Sequence, residues 1–79
     1  MIDNSYGTLA GAVMLTASTE IHIKKDMAYN GKKFVDMRKY IRGKNRETYT
    51  KDGVAIPEEK LVEVIEQLTK VAKEKGLIQ

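Results

Sequence analysis

The stretch IHIKKDMAYNGKKFVDMRKYIR, residues 21–42, decides the fold. Asn30-Gly31 stands inside it, and both residues accept the positive φ that a two-residue hairpin turn requires. Before the turn, Ile21, Ile23 and Met27 recur at period two, with His22, Lys24 and Asp26 between them. After it, Val35, Met37 and Ile41 form one face, and Phe34, Asp36, Arg38, Tyr40 and Arg42 the other. Alternation of this kind marks strands with two different faces. The segment therefore predicts an antiparallel pair joined at Asn30-Gly31.

Outward from this pair the reading continues as a sheet. Gly43-Lys44-Asn45-Arg46 is a basic turn, Glu47 to Thr50 a short β-prone run, and Lys51-Asp52-Gly53 a second turn signal before Val54 to Ile56. Four antiparallel strands in a meander result. Residues 1–19, with an apolar run from Leu9 to Ala17, are expected to be an N-terminal extension, flexible or an added strand, ahead of a domain over 20–79. Asp3 and the absence of any basic residue before Lys24 do not suit a secretory signal.

The last element is a helix. Pro57 suits its first position, Glu58 and Glu59 its first turn, and Lys70, Lys73 and Lys75 its C-terminal part. Gly76 ends it, with Leu77 placed to fold back. Leu61, Val62, Val64, Ile65, Leu68, Val71 and Ala72 spread over roughly half of the helical wheel, whereas one docking surface needs a stripe of only ~100°. The excess width predicts a second partner, and a chain with one helix finds that partner in another copy of itself. Leu61, Ile65, Leu68 and Ala72 are the expected dimer contacts. The fold class is thus α+β: a four-stranded antiparallel meander, one C-terminal helix, homodimeric.

Composition supports the same picture. At 79 residues this is one small domain, and such domains usually need added stabilisation. With no cysteine, disulfides and zinc thiolates are excluded. One histidine rules out a His-rich metal site, and no cofactor motif or catalytic constellation stands out. His22 reads as a strand surface residue, and the aspartates as local charge balance; the chain is expected not to be an enzyme. No apolar stretch approaches a membrane span. The net charge of +3 is unevenly placed: residues 20–53 hold ten Lys or Arg against five Asp or Glu. A basic middle segment points to a polyanion. Single-stranded nucleic acid is held by cations along its phosphates and flat side chains against its bases. Tyr29, Lys32 and Lys33 bracket the first turn, Arg38 sits beside Tyr40, and Lys44, Arg46, Tyr49 and Lys51 bracket the last strands.

These residues resemble a known family. Tyr29-Asn-Gly-Lys-Lys-Phe-Val-Asp-Met-Arg-Lys-Tyr40, then Lys51-Asp-Gly-Val-Ala-Ile56, then one helix, is similar to the pattern of the positive cofactor four transcriptional coactivators over about residues 20–76. The resemblance implies a curved four-stranded sheet followed by a helix, a homodimer built partly through the helices, and binding of single-stranded or melted DNA with little sequence preference. By position it puts Tyr29 on the family's stacking aromatic, Lys32 and Arg38 on its phosphate-contacting cations, and Lys51 near another. Ile41 and Asp52 depart from the pattern, where eukaryotic members carry a DNA-contacting tryptophan and a lysine. Lys24, Lys33, Lys44, Arg46 and Tyr49 complete the expected nucleic-acid surface, and no cofactor is implied. The function expected is non-catalytic single-stranded DNA binding inside the cell, in cytoplasm, nucleoid or nucleus, serving transcription, replication, recombination or repair, with transcription or replication proteins as further partners and no membrane. An RNA-binding domain, or a module docking an acidic protein, are the alternatives.

Overall fold

The computed structural model describes residues 7–43 and 47–79. Four strands form one open antiparallel sheet in sequence order: β1 (Thr8–Thr16), β2 (Thr19–Tyr29), β3 (Lys32–Arg42) and β4 (Glu47–Pro57). A single helix, α1 (Glu58–Glu74), follows β4 directly. The α+β class and the meander read from the sequence are borne out. The membership of the strands differs. The N-terminal apolar run is the first strand, paired with β2 from Thr8↔Lys25 to Thr16↔Thr19. The two runs flanking Lys51-Asp52-Gly53 are one strand, not two.

The physical reason is a bulge. Arg38 pairs with Gly53 and Tyr40 with Tyr49, so Thr50, Lys51 and Asp52 together oppose Lys39 alone. Thr50 Oγ1 donates to the Lys39 carbonyl at 3.0 Å and accepts the Asp52 N–H at 3.1 Å. The turn-forming residues thus make a local loop inside the ladder without reversing the chain. Gly53 allows the close approach that this needs: a Cβ there would stand 2.7 Å from the Met37 carbonyl oxygen and 2.9 Å from Arg38 Cζ.

The hairpin turn is as expected. Asn30 and Gly31 adopt φ of 51° and 78°, and Tyr29 pairs with Lys32. A second bulge interrupts β2, where Lys24 pairs with Asp36 but Met27 with Phe34, and Asp26 takes φ 61°. The extra residue shifts the alternation. Met27 therefore faces the same side as His22 and Lys24, not the Ile21 and Ile23 side, and it is buried there.

The helix starts one residue later than expected, with Pro57 as its cap. It ends as expected: Leu77 N–H bonds the Ala72 carbonyl at 2.9 Å and Gly76 N–H the Lys73 carbonyl at 3.0 Å, a Schellman pair. Among the described residues α1 contacts β3 and β4 and neither β1 nor β2. No helix residue is fully buried. Val62, Ile65, Leu68 and Val71 remain at least half exposed. Among the described residues, therefore, nothing covers the outer part of the wide apolar stripe. Among the described residues no helix is long and apolar enough to cross a membrane.

Candidate nucleic-acid interface

Directly paired residues of an antiparallel sheet share a face. The ladder therefore assigns sides. One side carries Ile21, Ile23, Val35, Met37, Val54 and Ile56. The other carries Glu20, His22 and Lys24 of β2, Lys32, Asp36, Arg38 and Tyr40 of β3, and Tyr49 of β4, with Tyr29 paired to Lys32. This second side is polar yet contains the two buried polar residues of the described chain, His22 at 8% and Asp36 at 5% exposure. Buried polar groups need partners, and each has them.

Asp36 receives a bidentate pair from Arg38, Nε to Oδ2 at 3.2 Å and Nη2 to Oδ1 at 3.1 Å. Arg38 Nη1 also donates to the Thr50 carbonyl in the β4 bulge at 3.0 Å. The guanidinium thus ties β3 to the bulge and holds down a buried carboxylate. It has five N–H donors, so one on each terminal nitrogen remains for an outside anion. Arg38 is both a strut of the sheet and a candidate cation of its surface.

Beyond Arg38 lies an aromatic cluster. His22 stacks on Tyr40 with ring centroids 4.3 Å apart and planes 17° off parallel. Tyr49 reaches across β3 from β4, its ring 4.7 Å from Tyr40 and 5.3 Å from His22, tilted steeply to both. Its hydroxyl lies 3.0 Å from His22 Nδ1. His22 Nε2 lies 3.8 Å from Glu20 Oε1, so the tautomer protonated at Nε2 suits both neighbours. Glu20 is itself 3.4 Å from Arg42 Nη1. Lys24 Nζ sits 4.1 Å above the centre of the Tyr49 ring.

At the opposite end, by the hairpin, an open cleft of about 750 Å³ is lined by residues that include Tyr29, Lys32, Lys33, Phe34, Glu58 and Glu59. Tyr29 is 55% exposed, and Lys32 is exposed beside it. Lys33 pairs with Ala28 and so belongs by register to the other face. Lys51 is exposed in the bulge next to Thr50. Lys44 and Arg46 lie outside the described residues.

The structure thus brings Tyr29, Lys32, Arg38, Lys24 and Tyr49 to one side of the sheet. His22, read from the sequence as a surface residue, is buried in that side instead, because Tyr40 covers its ring and Tyr49 its edge. His22, Glu20 and Arg42 were not among the expected site residues. Their signal was the period-two spacing 20, 22, 24 opposite 36, 38, 40, which becomes readable only once the bulge fixes the register.

No family model matches the chain, and no curated protein does. Solved structures do. A PC4 homolog from Burkholderia pseudomallei K96243, in its orthorhombic crystal form, superposes with a TM-score of 0.78 at 27% identity, covering 94% of this chain and 99% of the other. The tetragonal form of the same protein gives a TM-score of 0.73 at 27% identity over 84% and 97%. The resemblance to the positive cofactor four pattern read from residues 20–76 is therefore matched in three dimensions, and the match extends to nearly the whole chain.

Proposed function

We propose that this chain is a non-catalytic single-stranded DNA-binding protein that works as a homodimer inside the cell, in transcription, replication, recombination or repair. The observation that carries this reading is the sharing of one sheet face by stacking aromatics and cations: Tyr29 with Lys32 at one end, Tyr49 with Lys24 at the other, and Arg38 between them. A single strand needs both kinds of group on one surface. The likeness to a PC4 homolog supports the same reading. Glu20 and Asp36, carboxylates of this face, each lie against an arginine, which tempers their repulsion of phosphate, whereas Glu58 and Glu59 line the hairpin cleft itself.

The roles within the hairpin cleft separate in one assay, affinity against salt for a short oligothymidylate. Tyr29→Ala is expected to weaken binding by about 1–3 kcal/mol with the salt slope unchanged, because it removes a stacking surface and no charge. Lys32→Ala is expected to lower the slope by about 0.7, the value for one phosphate contact on a single strand. A changed slope for Tyr29→Ala with none for Lys32→Ala would reverse the assignment. Full affinity in both variants would move the bound surface elsewhere and favour the acidic-partner reading.

A further inference from the structure

Tyr49 is 39% exposed, yet its ring has little freedom to move. Its hydroxyl is held at His22 Nδ1, and Tyr40 and His22 both pack against it. An aromatic ring fixed at one end and open on its surface is the preorganised form of a stacking platform. Its surface is taken by the ammonium of Lys24, 4.1 Å from the ring centre. A nucleobase stacked there would place its own centre about 4.5 Å or more from that of Tyr49, in the volume that Lys24 occupies. Base and ammonium cannot both be there.

Lys24 is suited to give way. Its cross-strand partner in the ladder, Asp36, is already engaged by Arg38, so the contact of the ammonium is with the ring. Its four-carbon stem is flexible and its head is strongly hydrated. Lys24 is half-buried, and a cation–π contact there is of the same order as base–aromatic stacking, so exchange of ammonium for base costs little. The released ammonium stays within a stem's reach of the phosphates that flank the stacked base.

We propose that Tyr49 is a second base-stacking position, held in place by His22, and that Lys24 covers it in the free protein and moves to phosphate when a base takes its place. This rests on the single-strand reading above and goes further, in assigning His22 as a positioning residue and Lys24 as an exchangeable cover. It predicts different behaviour for bases and for phosphates alone.

The direct readout is the proton resonances of the Lys24 side chain. In the free protein the Tyr49 ring current should shift its terminal methylene upfield, and Tyr49→Leu should abolish that shift. Saturation with oligothymidylate should return the resonance toward its ordinary position, while an abasic oligomer of equal length should leave it upfield. In the affinity assay, Lys24→Met should bind oligothymidylate more weakly than wild type at low salt, through the loss of one phosphate contact. At high salt it should bind as tightly or more tightly, because the platform is no longer covered; the two salt curves should cross. An upfield shift that persists in the saturated oligothymidylate complex overturns the proposal and leaves single-strand binding intact. So does a Lys24→Met curve that stays below wild type at all salt concentrations. Failure of oligothymidylate to bind at all removes the proposal and the single-strand reading together.

Discussion

Leu68→Glu is expected to convert a dimer into a folded monomer. Leu68 is 57% exposed in the single chain and lies on a stripe with Ile65 and Val71, also half exposed. Within one protomer the substitution therefore removes little packing. Across the proposed two-fold interface it acts twice, since the same residue occurs on both sides. Each copy loses the burial of one leucine, about 1.5–3 kcal/mol, and gains a carboxylate that must be desolvated or exposed. The total, about 5 kcal/mol, corresponds to more than three decades in dissociation constant. Sedimentation at micromolar concentration should show a dimer for wild type and a monomer for the variant, with the circular dichroism of both unchanged. A wild-type chain that sediments as a monomer would contradict the use of this stripe as a dimer surface.

Arg38→Ala is expected to cost stability before it costs affinity. Removing one partner of a buried pair leaves the other charge uncompensated, at about 3–5 kcal/mol. Here the Asp36 side chain is only 8% exposed, but that of Arg38 is 31% exposed, and solvent screens part of the effect. About 2 kcal/mol is expected, a fall of roughly 8–16 °C in melting temperature for a domain of this size. The lost bond to the Thr50 carbonyl should loosen the β4 bulge as well. Replacing both partners, Asp36→Leu with Arg38→Met, is expected to recover most of the stability, because the buried carboxylate goes with the cation. It should not recover the binding, since the phosphate contact proposed for Arg38 is still missing. A double variant that regains stability and full affinity would make Arg38 a strut alone. An Arg38→Ala protein as stable as wild type would contradict the strut.

The same two bulges decide how much was legible beforehand. The Asn30-Gly31 turn and the two faces of residues 33–42 follow from local chemistry alone, as do the Schellman end at Gly76 and the width of the helix stripe. A bulge has no equally strong local signature. Asp26 in the left-handed region and the three residues facing Lys39 are set by the ladder on either side. Counting back from the turn without interruption pairs His22 with Lys39, and places it on the apolar side with Met37 and Ile41. One extra residue at Lys25-Asp26 brings it opposite Arg38, beneath Tyr40. The aromatic cluster therefore depends on a register that alternation cannot supply. Lys51-Asp52-Gly53 misleads for a related reason: residues that favour reversal serve equally well in a bulge. The N-terminal run stays open between a flexible leader and an added strand because Leu9 to Ala17 is apolar without alternation and contains Gly11, a pattern that suits either; its pairing with β2 decides for the strand.

This sheet face is proposed to hold unpaired bases as well as phosphates. Titration of the wild-type protein with single-stranded and duplex DNA of the same length, at a low and a high salt concentration, tests it most directly. Phosphate contacts serve both forms and weaken with salt, whereas stacking on Tyr29 and Tyr49 requires base faces that a duplex hides. Tighter binding of the single strand is expected at both salt concentrations, with a preference that widens as salt rises and the phosphate contribution shrinks. Equal affinities that fall together with salt would contradict it, and would leave the face as a basic surface with no place for bases.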